Sequence, residues 1–147
     1  MSQDRILIVE DEPIVAEDIR TTLEQLGYGV SGVCASGEEA LLKIEEERPD
    51  LVLMDIVLQG ELNGIETAER TREQEGVPVV YLSAYGDEKT IQRAKRSQPL
   101  GYIIKPFDPQ ELLARVGVVL RIRRTERMLR QRNQELATLD EVNRAIS

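Results

Sequence analysis

The sequence predicts an α/β domain with a doubly wound, five-stranded parallel sheet, followed by a long C-terminal helix. Two observations predict this fold class. Short apolar runs recur along the chain and alternate with segments in which apolar residues have helical spacing. The runs are continuously apolar, as expected for strands of a parallel sheet that is covered on both faces. Strict alternation of strand and helix favours right-handed crossovers within a single sheet.

The predicted strands are five short segments, of which the second is the least apolar. They cover residues 6–9, 30–35, 51–54, 79–82 and 102–104. In a doubly wound sheet, ligands bind at the carboxyl ends of the strands, near the point where the strand order reverses. The residues that follow each strand are therefore the candidate functional residues.

The predicted helices lie between and after these strands. They cover residues 13–26, 37 onward, 64–74, 87–97 and 109 onward. The first begins with a proline in its first turn and ends before Gly27. Ser36 followed three residues later by Glu39 is typical of a capping box at the start of the second. Asp108 is the expected N-cap of the last, since a proline occupies the first helical position after it.

Composition excludes several classes of chemistry. The 147 residues are 41% hydrophobic and 31% charged, which is typical of a globular domain, and no apolar stretch is long enough to cross a membrane. No histidine is present, so histidine-dependent triads and histidine-ligated metal sites on this chain are excluded. The single cysteine, Cys34, cannot form an internal disulfide, and the N-terminus lacks a signal peptide. We therefore expect a cytoplasmic protein.

The charge is acidic overall and unevenly distributed. The net charge is −8, which argues against a surface that coats nucleic acid, so no direct nucleic-acid binding is expected. Up to residue 108 there are 11 basic and 22 acidic residues, and from residue 109 onward 8 basic and 5 acidic ones. An acidic body thus precedes a basic C-terminal segment.

Charged and hydroxyl side chains follow four of the predicted strands. Glu10 and Asp11 follow the first strand, Asp55 the third, Ser83 the fourth and Lys105 the fifth. Three carboxylates at one sheet edge repel one another unless a cation is present, and Mg²⁺ accepts a site with few carboxylates and several waters. A carboxylate beside such a cation can accept a phosphoryl group, while an ammonium and a hydroxyl contact the transferring oxygens.

These residues occur in four ordered motifs. They are Val-Glu-Asp-Glu at 9–12, Pro-Asp-Leu-Val-Leu-Met-Asp at 49–55, Leu-Ser-Ala at 82–84 and Lys-Pro-Phe at 105–107. The combination resembles the receiver domain of two-component response regulators over about residues 4–121. The resemblance implies a flavodoxin-like strand order, 2-1-3-4-5, and Mg²⁺-dependent phosphotransfer from a histidine kinase or phosphotransfer protein. It also implies that the chain catalyses only its own phosphorylation and dephosphorylation, in phosphorelay signalling.

The resemblance implies which residues bind the metal and the phosphoryl group. Asp55 corresponds to the phosphoacceptor, which becomes an aspartyl phosphate. Glu10 and Asp11 correspond to the Mg²⁺ ligands, together with Asp55 and the backbone carbonyl of Val57. Glu10 replaces the family's commoner aspartate and Ser83 its commoner threonine, and both keep the chemistry of the residue they replace.

The resemblance also implies a switch. Ser83 corresponds to the hydroxyl that moves toward the phosphoryl group, and Lys105 to the lysine that pairs with it. Tyr102 occupies the position of the switch aromatic, although a fixed, half-buried tyrosine is an equally good interpretation. Pro106 corresponds to a structural proline that follows a cis bond.

The loop after Asp55 departs from the family pattern. It is one residue longer than usual and lacks the usual Met-Pro, so we expect a different loop shape. Val57 and Tyr85 occupy positions that in related proteins can place the hydrolytic water, and neither supplies an amide or a carboxylate. We therefore expect a long-lived phosphoryl group, to be tested by the loss of radiolabelled phosphate.

The last predicted helix extends beyond the receiver. We place the receiver domain at residues 1–121 and a helical extension at 122–147, because no proline follows residue 109. The apolar stripe at the start of this helix is expected to be buried and comprises Leu112, Leu113, Val116 and Leu120. Six arginines lie between residues 121 and 132. A solvated helix face is the simplest interpretation of them, and attraction to the acidic body or to a nucleic acid is the alternative.

The extension has an incomplete heptad pattern. One heptad position holds Ile122, Leu129, Leu136 and Asn143, and the other holds Thr125, Arg132, Leu139 and Ile146. The first set favours a coiled-coil homodimer, whereas the second is half polar. The segment also resembles the signalling helices that lead into further domains, so we expect the receiver to be the N-terminal part of a longer or hybrid signalling protein. A stop codon directly after Ser147 would contradict that expectation.

Two alternative functions remain open from the sequence. The chain could be a dimerisation module with a vestigial site. It could also be a phosphatase with an aspartyl nucleophile, although such enzymes need a second acid two residues beyond the nucleophile, where this chain has Val57.

Overall fold

The computed structural model describes residues 4–58, 60–84, 92, 101–105 and 108–146. The strands are β1 (Arg5–Val9), β2 (Gly29–Cys34), β3 (Leu51–Asp55), β4 (Val79–Ala84) and β5 (Gly101–Lys105). The helices in these ranges are α1 (Pro13–Gln25), α2 (Gly37–Glu47), α3 (Gly64–Gln74) and α4 (Pro109–Ile146). The helix predicted at 87–97 lies outside the described residues except for Gln92, as do Tyr85 and Pro106.

The strands form one parallel sheet in the order β2-β1-β3-β4-β5. β1 therefore lies between β2 and β3, and the strand order reverses at this point. Residues that follow β1 and β3 lie side by side at the carboxyl edge, where ligands bind in such sheets. The predicted fold class is confirmed.

Alternate residues of β1 pack on opposite faces of the sheet. Leu7 and Val9 belong to the hydrophobic cluster that includes residues of α2 and α3. Ile6 and Ile8 belong to the cluster that includes residues of α1 and α4. All four side chains are fully buried, which explains why the strand has no polar alternation.

Side-chain caps fix the starts of three helices. Ser36 Oγ accepts a hydrogen bond from the Glu39 N–H at 3.2 Å, and Asp108 Oδ1 accepts one from the Glu111 N–H at 2.7 Å. Both caps confirm the sequence prediction. A third cap, which the sequence analysis did not identify, is Asn63, whose Oδ1 accepts from the Glu66 N–H at 2.9 Å at the start of α3.

One residue of the predicted buried stripe of α4 is exposed. Leu113 is 41% exposed, whereas Leu112, Val116 and Leu120 are buried, so its predicted burial was wrong. The buried stripe continues through Val119 instead. A helix turns about 100° per residue, so Leu113 lies at the edge of the stripe, where its side chain is only partly covered. Among the described residues, none of the helices is both long and apolar enough to cross a membrane.

α4 continues past residue 121 without a break and contacts the amino edge of the sheet. Arg124 forms an ion pair with Asp4, which precedes β1. Arg127 Nη1 lies 3.5 Å from Oδ1 of Asp50, which precedes β3. These contacts favour the interpretation that the arginines are attracted to the acidic body. The boundary at residues 121 and 122 stays a prediction.

Candidate functional site

The three predicted carboxylates lie together at the carboxyl edge of the sheet. Glu10 and Asp11 follow β1, and Asp55 ends β3. One carboxylate oxygen from each lies within 4.8 Å of the others. Glu10 is only 2% exposed and Asp55 7%, whereas Asp11 is partly exposed. The adjacent positions of β1 and β3 bring these residues together.

Lys105 joins this cluster from β5. Its Nζ donates hydrogen bonds to Glu10 Oε2 at 2.7 Å and to Asp55 Oδ2 at 3.1 Å. Because β4 lies between β3 and β5, the lysine side chain reaches over the end of β4. The ammonium therefore offsets part of the negative charge of two buried carboxylates.

Burial and proximity perturb the acid–base properties of this cluster. Burial, reinforced by the neighbouring Asp55, raises the pKa of Glu10 to about 7, although Lys105 acts in the opposite direction. Burial alone would lower the pKa of Lys105, but its contacts with Glu10 and Asp55 outweigh this and raise it above its usual value. A cation bound among the carboxylates would favour the ionised form of Glu10.

The carboxylate cluster, here defined as Glu10, Asp11 and Asp55, has the donor chemistry for a divalent cation. All its ligand atoms are oxygens, which hard cations prefer. Glu10 and Asp55 form the buried side of the cluster, while the partly exposed Asp11 leaves room for water ligands. The cluster could therefore hold a metal ion.

The loop after Asp55 is anchored to the residue it follows. The Val57 N–H donates to Asp55 Oδ1 at 3.1 Å, and the Gly64 N–H donates to the Ile56 carbonyl at 2.8 Å. A Cβ added at Gly64 would lie 2.0 Å from the backbone oxygen of Asp55, so only glycine allows this approach. The Val57 side chain is 71% exposed.

Two residues near the site were missed as functional candidates from sequence. Gly64 was identified only as a helix start, although a glycine within ten residues of a strand-terminal aspartate was a usable signal for close backbone approach. Glu38 lies between the two residues of the predicted capping box and was not identified as a functional candidate. Its side chain contacts the loop after Asp55, and its spacing from that loop offers no local signal.

The remaining predicted residues are described only in part. Ser83 lies in β4 opposite Ile104 of β5, and Tyr102 lies in β5 opposite Tyr81 of β4. The structure describes only the backbone of Ser83 and Tyr102, and their side chains, like Pro106, lie outside the described residues. Their roles stay predictions.

Comparison with known proteins gives one consistent family. Residues 6–117 match the family described as the response regulator receiver domain. The chain is 41% identical over 122 residues to the DNA-binding response regulator MtrA of Mycolicibacterium smegmatis, an alignment covering 83% of this chain and 52% of that protein. The chain thus spans about half the length of this curated relative.

Solved structures give the same result. The signal receiver domain of a modulated diguanylate cyclase from Desulfovibrio desulfuricans is 38% identical with a TM-score of 0.80, covering 85% of this chain and 99% of that one. The N-terminal domain of a response regulator/sensory box/GGDEF three-domain protein from Carboxydothermus hydrogenoformans is 32% identical with a TM-score of 0.76, covering 83% and 98%. The chain therefore belongs to the receiver domain family of response regulators, the phosphoacceptor modules of two-component signalling.

Proposed function

We propose that Asp55 is the phosphoacceptor of this receiver and takes its phosphoryl group from a phosphohistidine on a histidine kinase or phosphotransfer protein. The observation that carries the proposal is the position of Lys105, whose Nζ contacts both Asp55 and Glu10. An ammonium at this place, with an oxygen cluster beside it, can bind an incoming anion.

The proposed metal is Mg²⁺. Its ligands are the carboxylates of Glu10, Asp11 and Asp55 and the backbone carbonyl of Val57. The all-oxygen cluster supports this choice, since Mg²⁺ binds few carboxylates and keeps several waters. Bound Mg²⁺ would neutralise the carboxylates and the oxygens of the transferring phosphoryl group.

The reaction uses the chain's own carboxylate as nucleophile. An oxygen of Asp55 bonds to phosphorus as the bond between phosphorus and the donor histidine nitrogen breaks, which leaves an acyl phosphate on Asp55 and a free histidine. Lys105 contacts the phosphoryl oxygens, and the Ser83 hydroxyl donates a hydrogen bond to one of them. Hydrolysis of the acyl phosphate returns Asp55. The chain thus catalyses only its own phosphorylation and dephosphorylation.

The output of phosphorylation is a change in a surface that partner proteins recognise. Movement of Ser83 toward the phosphoryl group is accompanied by rearrangement of Tyr102 on β5. We place this signalling in the cytoplasm. Direct nucleic-acid binding by this chain is not proposed, because Arg124 and Arg127 contact carboxylates of the body.

The test is phosphorylation by a small donor. Incubation with acetyl phosphate and Mg²⁺ should add the mass of one phosphoryl group, and Asp55→Asn should abolish the gain. Omission of Mg²⁺ should prevent it as well. Unchanged mass of the parent protein, or equal labelling of Asp55→Asn, would contradict the assignment.

A second proposed function is dimerisation through the extension at 122–147. Ile122, Leu129 and Leu136 share one heptad position of α4 and are all exposed. Exposed large apolar side chains at this spacing favour a coiled coil with a second copy of the chain. This function does not exclude phosphorylation, since the two surfaces lie on different parts of the chain.

A further inference from the structure

The carboxylate of Glu38 contacts the loop that follows Asp55. Glu38 lies in the first turn of α2. Its Oε1 accepts hydrogen bonds from the backbone N–H of Glu61 at 3.2 Å and of Leu62 at 3.0 Å. These partners are 23 and 24 residues away along the chain, so the contacts join two separate elements.

The Glu38 carboxylate is surrounded by hydrogen-bond donors. Its own backbone N–H and that of Leu62 lower the pKa of Glu38, with smaller contributions from the Glu61 N–H and the Ser36 hydroxyl, while partial desolvation acts in the opposite direction. The N-terminus of α2 also favours negative charge. Hydrogen bonds to an ionised acceptor are stronger than those to a neutral one.

The loop conformation fits around this side chain. Gly60 has φ of +94°, a conformation that favours glycine, and a Cβ added there would lie 2.8 Å from Glu38 Oε2. Leu62, which donates to Glu38, is itself buried. The glycine thus lets the backbone approach the carboxylate closely, while the Leu62 side chain lies beside Gly37 of α2.

The same loop is bound to the phosphoacceptor. At its start the Val57 N–H donates to Asp55 Oδ1 at 3.1 Å. At its end the Gly64 N–H donates to the Ile56 carbonyl. Glu38 holds Glu61 and Leu62, which lie between these two anchors. Loss of the Glu38 contacts would remove a restraint on the backbone that connects Val57 to α3.

We infer that Glu38 is a positioning residue for the metal site: by holding the backbone of Glu61 and Leu62 it fixes the loop that presents the Val57 carbonyl to the cation. The inference rests on the proposed function, because it assumes that this carbonyl binds Mg²⁺. Residues that orient ligands without touching the metal commonly change metal affinity when they are substituted.

The test compares three variants of the full chain. Glu38→Ala removes both the acceptor and the charge, and Glu38→Gln removes the charge but keeps an oxygen that accepts the same two bonds. Glu45→Ala removes an equal charge from an exposed position of the same helix. Calorimetric titration with Mg²⁺ measures affinity, and amide hydrogen exchange without Mg²⁺ measures the loop.

Glu38→Ala should bind Mg²⁺ about tenfold more weakly than the parent chain. The amides of Glu61 and Leu62 should exchange faster in that variant. Glu38→Gln should retain most of the affinity, because the acceptor oxygen is kept although its hydrogen bonds are weaker without the charge. Glu45→Ala should match the parent in both measurements.

Three outcomes would overturn the inference. If Glu38→Gln is as weak as Glu38→Ala, charge alone explains the loss. If Glu38→Ala behaves like Glu45→Ala in affinity and exchange, the contact does not hold the loop. If the parent chain binds neither Mg²⁺ nor a phosphoryl group, the proposed function is wrong and the inference is wrong with it. This outcome is distinct from the other two, in which the parent chain still binds Mg²⁺.

Discussion

Arg123 of α4 donates a hydrogen bond through Nη1 to the Gly76 carbonyl at 3.0 Å, across 47 residues of sequence. Its Nε is buried, and the burial lowers the pKa of this guanidinium. Gly76 precedes β4 and has φ of +66°. The contact ties the start of the predicted extension to the amino edge of the sheet, opposite the carboxylate cluster.

The first prediction concerns this contact. Arg123→Ala should lower the free energy of unfolding by about 1–2 kcal/mol, because it removes a hydrogen bond and the packing of a partly buried side chain. Arg130→Ala, at an exposed position further along α4, is the matched control and should change stability by less than about 0.5 kcal/mol. Chemical denaturation measures both. Equal effects would show that Arg123 does not stabilise the receiver.

Two glycine substitutions should change stability in opposite directions. Gly64→Ala places a Cβ 2.0 Å from the backbone oxygen of Asp55 and should cost about 1–3 kcal/mol, because backbone atoms cannot easily move away. Among the described residues, the new Cβ of Gly117→Ala in α4 meets only Tyr28 Oη at 3.6 Å, so this variant should gain about 0.5–1 kcal/mol from the better helix former. Thermal unfolding of both variants tests the prediction. Stabilisation by Gly64→Ala would contradict the close approach.

Local signals predicted the fold well. The continuous apolar runs of β1 and β3 indicated strands covered on both faces, and Ser36 and Asp108 cap helices as their spacing predicts. The site was predictable because parallel strands bring their carboxyl ends together, which placed Glu10 and Asp55 at one edge. Leu113 was predicted wrongly because an apolar residue beside the buried stripe has the same local signature as a member of it.

The contacts that sequence did not predict join distant residues. Glu38 reaches the loop 23 residues away, and Arg124 pairs with Asp4 across 120 residues. Such pairs depend on the shape of a loop and on the path of α4 beyond the sheet. Neither is encoded in the local periodicity or the spacing of motifs. Some exposed charged residues, such as Glu38 and Arg124, therefore hold distant segments together. Composition alone suggests only that such residues face solvent.

The third prediction concerns the thiol of Cys34. Burial, reinforced by the charge of Glu39, raises its pKa to about 11 from an ordinary value of 9.0. The side chain is fully buried at the end of β2. The folded protein should therefore react with Ellman's reagent at pH 8 only as fast as it opens, because the thiolate is the nucleophile. The denatured chain is the control and should react at once. Fast reaction of the folded protein would contradict its burial.

The same pKa predicts a pH dependence of stability. The folded state raises the pKa of Cys34, so the neutral thiol stabilises the folded protein. This stabilisation is fully present below about pH 9 and is lost as pH rises toward 11. Cys34→Ala removes the titrating group. The difference in unfolding free energy between the two proteins should therefore narrow over this range. A constant difference would show that the thiol does not titrate differently in the folded state.

The fourth prediction concerns the charge balance of the site. Lys105→Ala should bind Mg²⁺ about three- to tenfold more tightly, because the ammonium that competes for Glu10 and Asp55 is gone. The same variant should accept a phosphoryl group more slowly, since the transferring oxygens lose a cation. Lys43→Ala removes a partly exposed lysine that pairs with Glu47 and should leave both properties unchanged. Calorimetry and mass spectrometry measure them. Weaker Mg²⁺ binding by Lys105→Ala would show that the lysine supports the metal ligands rather than competing with the cation.

The last prediction separates the dimer from the monomer. Leu129 is 56% exposed at the heptad position that it shares with Ile122 and Leu136. In a coiled coil this side chain would be buried, so Leu129→Glu should weaken association by about tenfold or more. Met128→Glu changes the neighbouring residue, which is also exposed but lies outside that position, and should leave association unchanged. Light scattering over a range of concentrations measures the mass of each variant. A parent chain that stays monomeric at high concentration would contradict the proposed dimer. If both variants weaken association equally, the contact lies on a different face of α4.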